Sequence, residues 1–481
     1  MNMKQMKQYY ILFAIFAMSI SSCEKLLDKE PTDKLSLEDL FKEVSGAKTA
    51  LAGAYKALIE EAHYQKNTMV YADLLGGNIK FSKTTNLRLE DVFNFTQNAQ
   101  ESTMNETYAY LYAELNNVNN IIKYTLSAVG SATEKTKIIA EAKCLRALLH
   151  FDLVRIFARP INFTSNGSHL GIPVILKPQL FGDPSPQRST VAQTYEAIVG
   201  DLNDAIQAFD ASNAWVLSSG SKQNYFTKLS AQALLSKVYL YQNDWDKAYN
   251  MADLVIKSNQ YTLLTEAAYV GSWTGRTPST ESIFEIALEQ TFSGNSLGSY
   301  YDITNNTYRM YAANNDVLGL YSITDVRRSA SMFNPITLLG TNYFFTKKYA
   351  NTGTLSTPVK VLRLSEIHLI RAEAAAEKAN PDFTLANADL NLIRKRADAS
   401  VTNLNLTIKS DLIDAILLER RKELAFEGNL LYDLMRRKKD VVRVDVVAAI
   451  KNLPTTDNKL VMPFPINTIN ANINMFQNPG Y

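Results

Sequence analysis

Cysteine, histidine and tryptophan are scarce in this chain. Its 481 residues include two cysteines, four histidines and three tryptophans. The histidines are isolated from one another, and the sequence has no zinc-protease, nucleophile-elbow or phosphate-loop motif and no calcium-loop spacing. These absences predict no metal site, no cofactor and no catalytic residue. A glycosidase pair stays open, because carboxylates are plentiful and nothing in their spacing selects two of them.

An excess of charge of either sign is also missing. Lysine and arginine together number 50 and aspartate and glutamate 48, so the formal net charge is +2. The basic residues are interspersed with acids rather than gathered into a stripe, and this pattern gives no support to nucleic-acid binding. Long apolar runs are absent beyond the N-terminal one, so no later segment is predicted to span a membrane.

The N-terminus has the features of an export signal. Two lysines precede an apolar run over residues 9–18, which is too short to cross a bilayer. The run leads to Ile-Ser-Ser-Cys at residues 20–23, which resembles a bacterial lipobox. We therefore predict a signal peptide over residues 1–22 and lipidation of Cys23, which leaves Cys144 without a disulfide partner. The alternative is an ordinary signal peptide with an incidental cysteine.

The rest of the chain is predicted to be a tether followed by one folded body. Residues 23–37 are charged, contain a proline and show no helical period, as is typical of a tether. Residues 38–481 are predicted to form a single, mainly helical domain. Apolar residues recur at intervals of three or four in many segments, such as residues 108–122, 145–157 and 190–209.

Two pairs of predicted helices are joined by short connections. The first pair covers residues 229–241 and 245–257, and the second covers residues 362–378 and 385–397. Alanines at the expected contacts allow the paired helices to approach closely. The pairs resemble tetratricopeptide hairpins, although a strict repeat period is absent. The sequence therefore predicts a scaffold of degenerate tetratricopeptide-like helix hairpins that carries long irregular loops and a few short strands.

Residues 264–359, between the two helix pairs, have a different composition and are predicted to be a loop-rich binding insert. They are rich in Gly, Ser, Thr, Asn and Tyr, and only residues 282–286 and 343–345 have the pattern of strands. Loops on a rigid frame often carry binding sites, and aromatic rings with a polar end suit sugars or peptides. The predicted ligand-binding residues of this insert are Trp273, Arg276, Tyr300, Tyr301, Asn306, Tyr308 and Tyr311. Tyr71 and Asp73 are further candidates, and the alternative is that these rings pack the loops onto the frame.

The C-terminal part of the chain carries a distinctive motif. Residues 417–428 read LLERRKELAFEG and are followed by LYDLMRR at residues 431–437. This motif resembles the signature helix of the SusD/RagB family of Bacteroidetes, and further segments agree in order up to QNPGY at residues 477–481. The resemblance implies a lipoprotein of the outer membrane, facing the cell exterior. It also implies a non-enzymatic protein that binds a glycan or oligopeptide and delivers it to a SusC-like, TonB-dependent transporter.

The charges of the signature helix are predicted to have a structural role. Glu419, Glu423 and Glu427 are spaced four apart, and such a ladder of like charges is unfavourable by itself. The cations expected to balance it are Arg420, Arg421, Arg436 and Arg437, with Arg371 or Arg394 from neighbouring helices. We therefore predict a structural ion network of Glu419, Arg420, Arg421, Glu423 and Glu427 rather than a catalytic carboxylate pair.

Two other functions stay open at this point. One is a secreted glycoside hydrolase on a helical scaffold. The other is an assembly lipoprotein that grips protein partners through its helical repeats.

Overall fold

The computed structural model describes most of the predicted folded body. The described residues are 36–83, 86–100, 103–209, 215–288, 297–301, 309–349 and 358–481. The predicted signal peptide, Cys23 and nearly all of the predicted tether lie outside these residues, as do Asn306 and Tyr308 of the predicted ligand site.

Helices account for most of the secondary structure. The α-helices of the described residues are α1 Leu37–Leu40, α2 Val44–Ala57, α3 Asn67–Gly76, α4 Glu90–Phe93, α5 Asn105–Thr125, α6 Ala132–Phe157, α7 Val191–Ala208, α8 Lys228–Gln242, α9 Trp245–Lys257, α10 Glu266–Gly271, α11 Leu297–Tyr301, α12 Asn315–Gly319, α13 Leu364–Glu377, α14 Phe383–Ala397, α15 Lys409–Glu423, α16 Leu430–Arg436 and α17 Ile466–Ala471.

The strands are short and form four antiparallel pairs, β1 with β3, β2 with β6, β4 with β5 and β7 with β8. Their bounds are β1 Ile79–Phe81, β2 Ser282–Ile286, β3 Tyr311–Ala313, β4 Phe333–Leu338, β5 Thr341–Thr346, β6 Val359–Arg363, β7 Val441–Val442 and β8 Asn452–Leu453.

The long helices pack in a continuous series. Helices α5 to α8 each pack against the next helix in the chain, α9 packs against α13, and α13 packs against α14 and α15. In the α8–α9 pair, Asn243 ends the first helix in the left-handed conformation, and Asp244 caps the second. Ala248 and Ala252 of α9 are fully buried, so small side chains do occupy the contact. The predicted mainly helical fold is confirmed, and the series passes from α9 to α13 without including the insert.

The insert has more strand than the sequence predicted. The two predicted strands are present as β2 and β5, but β3, β4 and β6 were missed. The predicted start of a helix at residue 362 is wrong by two residues, because Leu362 pairs with Phe284 of β2 and the helix begins at Leu364. These strand pairs attach the insert to the scaffold, since β1 lies before the insert in the sequence and β3 lies within it.

A buried cluster of charged side chains, here called the α15 ion cluster, joins α15 to the insert. Its members are Glu281, Asp325, Glu419, Glu423 and Glu427 with Arg327, Lys348, Arg363, Arg396 and Lys422. The Glu423 carboxylate accepts a hydrogen bond of 2.9 Å from Arg327 and others from Arg363 and Arg396. Arg363 also donates two hydrogen bonds of 2.8 Å to Glu427. The cluster therefore connects elements that are far apart in the sequence.

Burial and the neighbouring positive charges shift the pKa of Glu423 in opposite directions. Burial alone raises its pKa, but Arg396, Arg363 and Arg327 hold the pKa well below its usual range. A buried charge is tolerated only when it is paired and hydrogen-bonded, so each member fixes the position of its partners.

The glutamate ladder is balanced by cations other than those expected from the sequence. Arg420 binds Asp433 at 3.2 Å and Arg421 binds Asp316. The expectation is wrong because acids from other elements, Asp433 and Asp316, bind these two arginines, although the three-residue spacing of Arg420 and Glu423 would allow a pair on the helix. The remaining expected partners also bind other groups: Arg436 and Arg437 pair with Glu373, Arg371 pairs with Asp253 and Asp389, and Arg394 donates to Asn391 and to the Thr402 carbonyl.

Replacing Glu423 should destabilise the whole fold. We expect Glu423→Gln to lower the free energy of unfolding by about 3–5 kcal/mol, because three buried guanidinium groups lose the charge they share. Urea denaturation at neutral pH measures the loss. The matched control is Asp414→Asn on the same helix, whose exposed pair with Lys439 is worth about 1 kcal/mol at most. Equal losses in the two variants would contradict the structural role of the cluster.

Candidate ligand-binding site

A groove of about 560 Å³, here called the hairpin groove, opens beside the β4–β5 hairpin. It is lined by Lys80, Phe81, Ser82, Lys83, Leu87, Glu90, Phe93, Asn94, Leu338, Leu339, Thr341, Tyr343, Asp445 and Val447. The walls therefore come from β1 and the loop after it, from α4, from the hairpin and from the segment after β7. Its volume and its mixture of apolar and polar side chains are typical of a small-molecule site.

Two half-buried aromatic rings, Phe81 and Tyr343, line the hairpin groove. Phe81 is held by Phe93, whose ring centroid lies 4.8 Å away at an interplanar angle of 69°. The Lys80 ammonium lies 5.6 Å from the centroid of the Tyr343 ring. Each ring is thus fixed on one side and partly open on another, so a ligand can stack on it without reordering the protein.

Asp445 ties the walls of the groove together. Its carboxylate accepts a hydrogen bond from Lys80 of β1 and one of 3.2 Å from the amide of Asn315 at the start of α12. This carboxylate is therefore already paired with a cation, which makes it a positioning group for the groove.

The hairpin separates two grooves. Side chains alternate along a strand, so Tyr343 faces one side of the hairpin and Phe344 faces the other. Phe344 lines a second groove of about 430 Å³, here called the opposite groove, together with Phe333, Pro335 and Arg328. Tyr343 and Phe344 are both half-buried.

The aromatic residues predicted to bind ligand are packed in the interior. Trp273 is 1% exposed, and Tyr300, Tyr301 and Tyr311 are fully buried. Tyr301 lies 5.9 Å from Tyr311 between ring centroids, and the Tyr300 hydroxyl donates a hydrogen bond of 2.6 Å to Glu61. None of these rings presents a face to a ligand in this structure, and this placement matches the alternative in which they pack the insert onto the frame.

The other predicted positions differ in exposure. Arg276 is half-buried on the connection between α10 and β2. Tyr71 and Asp73 are fully buried in α3. Asp73 accepts hydrogen bonds of 2.7 Å from the Asn78 side chain and from the Gly428 amide. These contacts place Asp73 at a joint between α3 and the signature motif, away from any open surface.

Gly428 allows this joint to form. Its φ is 72°, and a Cβ atom there would lie 3.0 Å from the Thr68 carbonyl oxygen and from two backbone atoms of Met69. A side chain at this position would therefore push α3 away and break the hydrogen bond to Asp73.

The sequence analysis missed the residues that form the hairpin groove. Tyr343 lies in a segment that was predicted to be a strand, and this strand pattern was the only available signal. Phe81 and Asp445 are 364 positions apart in the numbering. Their segments meet through tertiary contacts such as those between Lys80 and Asp445 and between Arg443 and the Phe93 carbonyl.

Comparison with known families accounts for nearly the whole chain. Residues 239–481 match the family described as "SusD family", and residues 25–240 match the family described as "Starch-binding associating with outer membrane". The chain belongs to the SusD family. The resemblance inferred from the signature helix is confirmed. Within the residues that the structure describes, no helix is long and apolar enough to cross a membrane.

Several SusD relatives resemble the chain over most of its length. A SusD-like protein of Formosa agariphila is 24% identical over 540 residues, which cover 100% of both chains. The solved structure of a SusD superfamily protein from Bacteroides thetaiotaomicron has a TM-score of 0.82 and 26% identity and covers 91% of this chain and 100% of its own. A SusD-like carbohydrate binding protein from Bacteroides vulgatus has a TM-score of 0.78 and 21% identity, with 90% and 97% covered.

Asp73 should make stability depend on pH. Burial raises its pKa from 3.8 to about 7, despite the hydrogen bonds from Gly428 and Asn78. The folded protein therefore holds a proton that the unfolded chain releases, so this contribution to stability is complete below about pH 4 and is lost as the pH rises through about 7. We expect the stability of the unmodified chain relative to Asp73→Asn to fall by up to about 1.4 kcal/mol per pH unit in that window. Urea unfolding of both chains at several pH values measures this, and a difference that does not vary with pH would refute it.

Proposed function

We propose that this SusD family member binds a glycan in the hairpin groove without cleaving it. The observation that carries the proposal is the pair of partly open rings, Phe81 and Tyr343, in a preformed groove with charged and polar walls. Sugar rings present apolar C–H faces to aromatic side chains and hydroxyl groups to polar ones. The family description for residues 25–240 and the carbohydrate binding relative from Bacteroides vulgatus support a glycan as the ligand.

The absence of cleavage is part of the proposal. Of the two carboxylates that line the groove, Asp445 is paired with Lys80, and Glu90 is exposed on α4. A glycosidase needs one protonated and one ionised carboxyl group on either side of the scissile bond. Release of reducing sugar from a bound glycan, abolished by Glu90→Gln or Asp445→Asn, would favour the hydrolase alternative instead.

Replacing Tyr343 should weaken glycan binding while leaving the fold intact. We expect Tyr343→Ala to reduce affinity about tenfold, which corresponds to about 1.4 kcal/mol, because a stacking surface is lost. Isothermal titration with a panel of polysaccharide fragments measures the change.

Phe344→Ala provides the matched control, since the ring is equally half-buried on the neighbouring position but faces the opposite groove. We expect its affinity to match that of the unmodified chain. If both variants bind equally well, or if only Phe344→Ala weakens binding, the hairpin groove is not the glycan site.

We further propose that Cys23 carries a lipid that holds the protein on the outer face of the outer membrane, and that the protein delivers its ligand to a SusC-like, TonB-dependent transporter. The lipobox and the family description "associating with outer membrane" support the anchor. The chain has only one other cysteine, Cys144, which is buried in α6.

Anchoring and partnership can be tested on the same full-length chain. We expect a tagged chain to incorporate labelled fatty acid, to be cut by protease added to intact cells, and to copurify with a large TonB-dependent transporter. Cys23→Ser should abolish labelling and release the protein, while Cys144→Ala should leave both unchanged. Copurification with assembly factors and no transporter would contradict the delivery role and favour the assembly alternative.

A further inference from the structure

The hairpin groove contains a cation that has no ionic partner among the described residues. Lys83 lines the groove and is half-buried, and it forms no ion pair in the part of the chain that the structure describes. Lys80, three residues earlier, differs because Asp445 neutralises it. The groove thus holds one lysine whose charge is neutralised by a carboxylate and one that has no described carboxylate partner.

A second cation without an ionic partner among the described residues, Arg309, lies on the segment that runs beside Ser82. The Ser82 amide donates a hydrogen bond of 3.0 Å to the Met310 carbonyl, and the Ser82 hydroxyl donates another to the Arg309 carbonyl. Residues 82–83 and 309–310 therefore run side by side. The Arg309 side chain is half-buried, its Nε atom has no hydrogen-bond partner among the described residues, and no described carboxylate pairs with it.

The proximity of the two cations has an electrostatic consequence. Burial and then the charge of Arg309 lower the pKa of Lys83. Like charges at short range destabilise each other, more strongly in a partly desolvated groove than in water. An anion placed between them would remove the repulsion and satisfy the free donors.

The described acids that line the groove, Asp445 and Glu90, do not supply that anion. Asp445 is occupied by Lys80 and by the Asn315 amide. Glu90 is exposed, so water and salt screen its charge.

We propose that the ligand of the hairpin groove is an acidic glycan, whose carboxylate or sulfate ester group lies between Lys83 and Arg309 while a sugar ring stacks on Tyr343. Charge-assisted hydrogen bonds from a guanidinium group to a carboxylate or sulfate are strong and directional, so they add selectivity to the stacking surface. The inference rests on the proposed function, because it names the class of glycan that the same groove selects.

The full chain, purified in detergent, can be titrated with four probes. These are a uronate polymer (polygalacturonate), a sulfated galactan, a neutral galactan and amylose. We expect one or both acidic glycans to bind at least tenfold more tightly than either neutral glycan, and this affinity to fall as salt is raised from about 0.05 to 0.5 M. Comparing the uronate with the sulfated polymer identifies which anionic group the site accepts.

Variants then locate the effect. We expect Lys83→Gln and Arg309→Gln each to weaken binding of the acidic glycan about tenfold. The matched control is Arg328→Gln, which removes an exposed arginine that lines the opposite groove and forms no described ion pair. Its affinity should not change. Equal losses in all three variants would indicate diffuse attraction and overturn the proposed site.

The outcomes distinguish failure of the acidic-glycan inference from failure of the proposed glycan binding. Binding of a neutral glycan that Tyr343→Ala weakens and Lys83→Gln does not, with no preference for the acidic probes, would overturn the acidic ligand and leave the proposed function standing. Absence of binding to every probe would count against the proposed function itself.

Discussion

The buried charge of Glu423 constrains the rest of the molecule. A carboxylate in the interior is stable only with its full set of cations, and those cations come from the insert, from β6 and from α14. Helix α15 therefore cannot reach its native environment unless the insert has also folded. Two of these cations also contact aromatic rings of the insert: the Arg363 guanidinium lies 5.7 Å from the centroid of the Trp273 ring, and that of Arg396 lies 4.7 Å from the centroid of the Tyr269 ring. The α15 ion cluster thus links the helical frame to the insert.

This constraint is strongest at the base of the hairpin and weakest at its tip. Phe333 and Phe345 are buried at the base, and Lys348, which follows β5 by two residues, belongs to the α15 ion cluster. Leu339 at the tip is fully exposed. A hairpin that is fixed at one end places Tyr343 against β1 in the unbound protein. Binding then orders few additional groups, which keeps its entropic cost low.

How far the sequence predicted this structure depends on the range of the interactions involved. Helices α5 to α9 follow from apolar periodicity, which is a local property. The predicted bounds of α7, α8 and α9 agree with the structure to within one residue, whereas α6 begins at Ala132, 13 residues before the predicted start at residue 145. The ladder of Glu419, Glu423 and Glu427 predicted an ion network because four-residue spacing places like charges on one face. Its partners were not predictable, since Arg327 and Arg396 come from segments that no local pattern connects to α15.

The candidate site depends even more on contacts that no local sequence pattern predicts. Composition marked the insert as aromatic, but it does not distinguish a ring that packs from a ring that binds. Tyr301 and Tyr343 belong to the same insert, and only burial separates them: Tyr301 has several ring neighbours and no exposed surface, whereas Tyr343 lies towards the open end of a two-stranded hairpin. Phe81 could not be paired with Tyr343 from the sequence because their strands meet only through the β1–β3 pair and β5 beside it.

Under the proposed function, the residues that select the ligand differ from those that stabilise the fold. The interior rings and the α15 ion cluster hold the fold, and changing any of them leaves a cavity or an unpaired buried charge. Lys83 and Tyr343, which line the hairpin groove, and the neighbouring Arg309 are only partly buried, so their replacement costs the fold little. Substitutions of these partly buried residues can therefore change which ligand is bound while the helical fold is retained. The repulsion between Lys83 and Arg309 has little effect on the free energy of unfolding, because the large buried network sets the global stability and the rim does not.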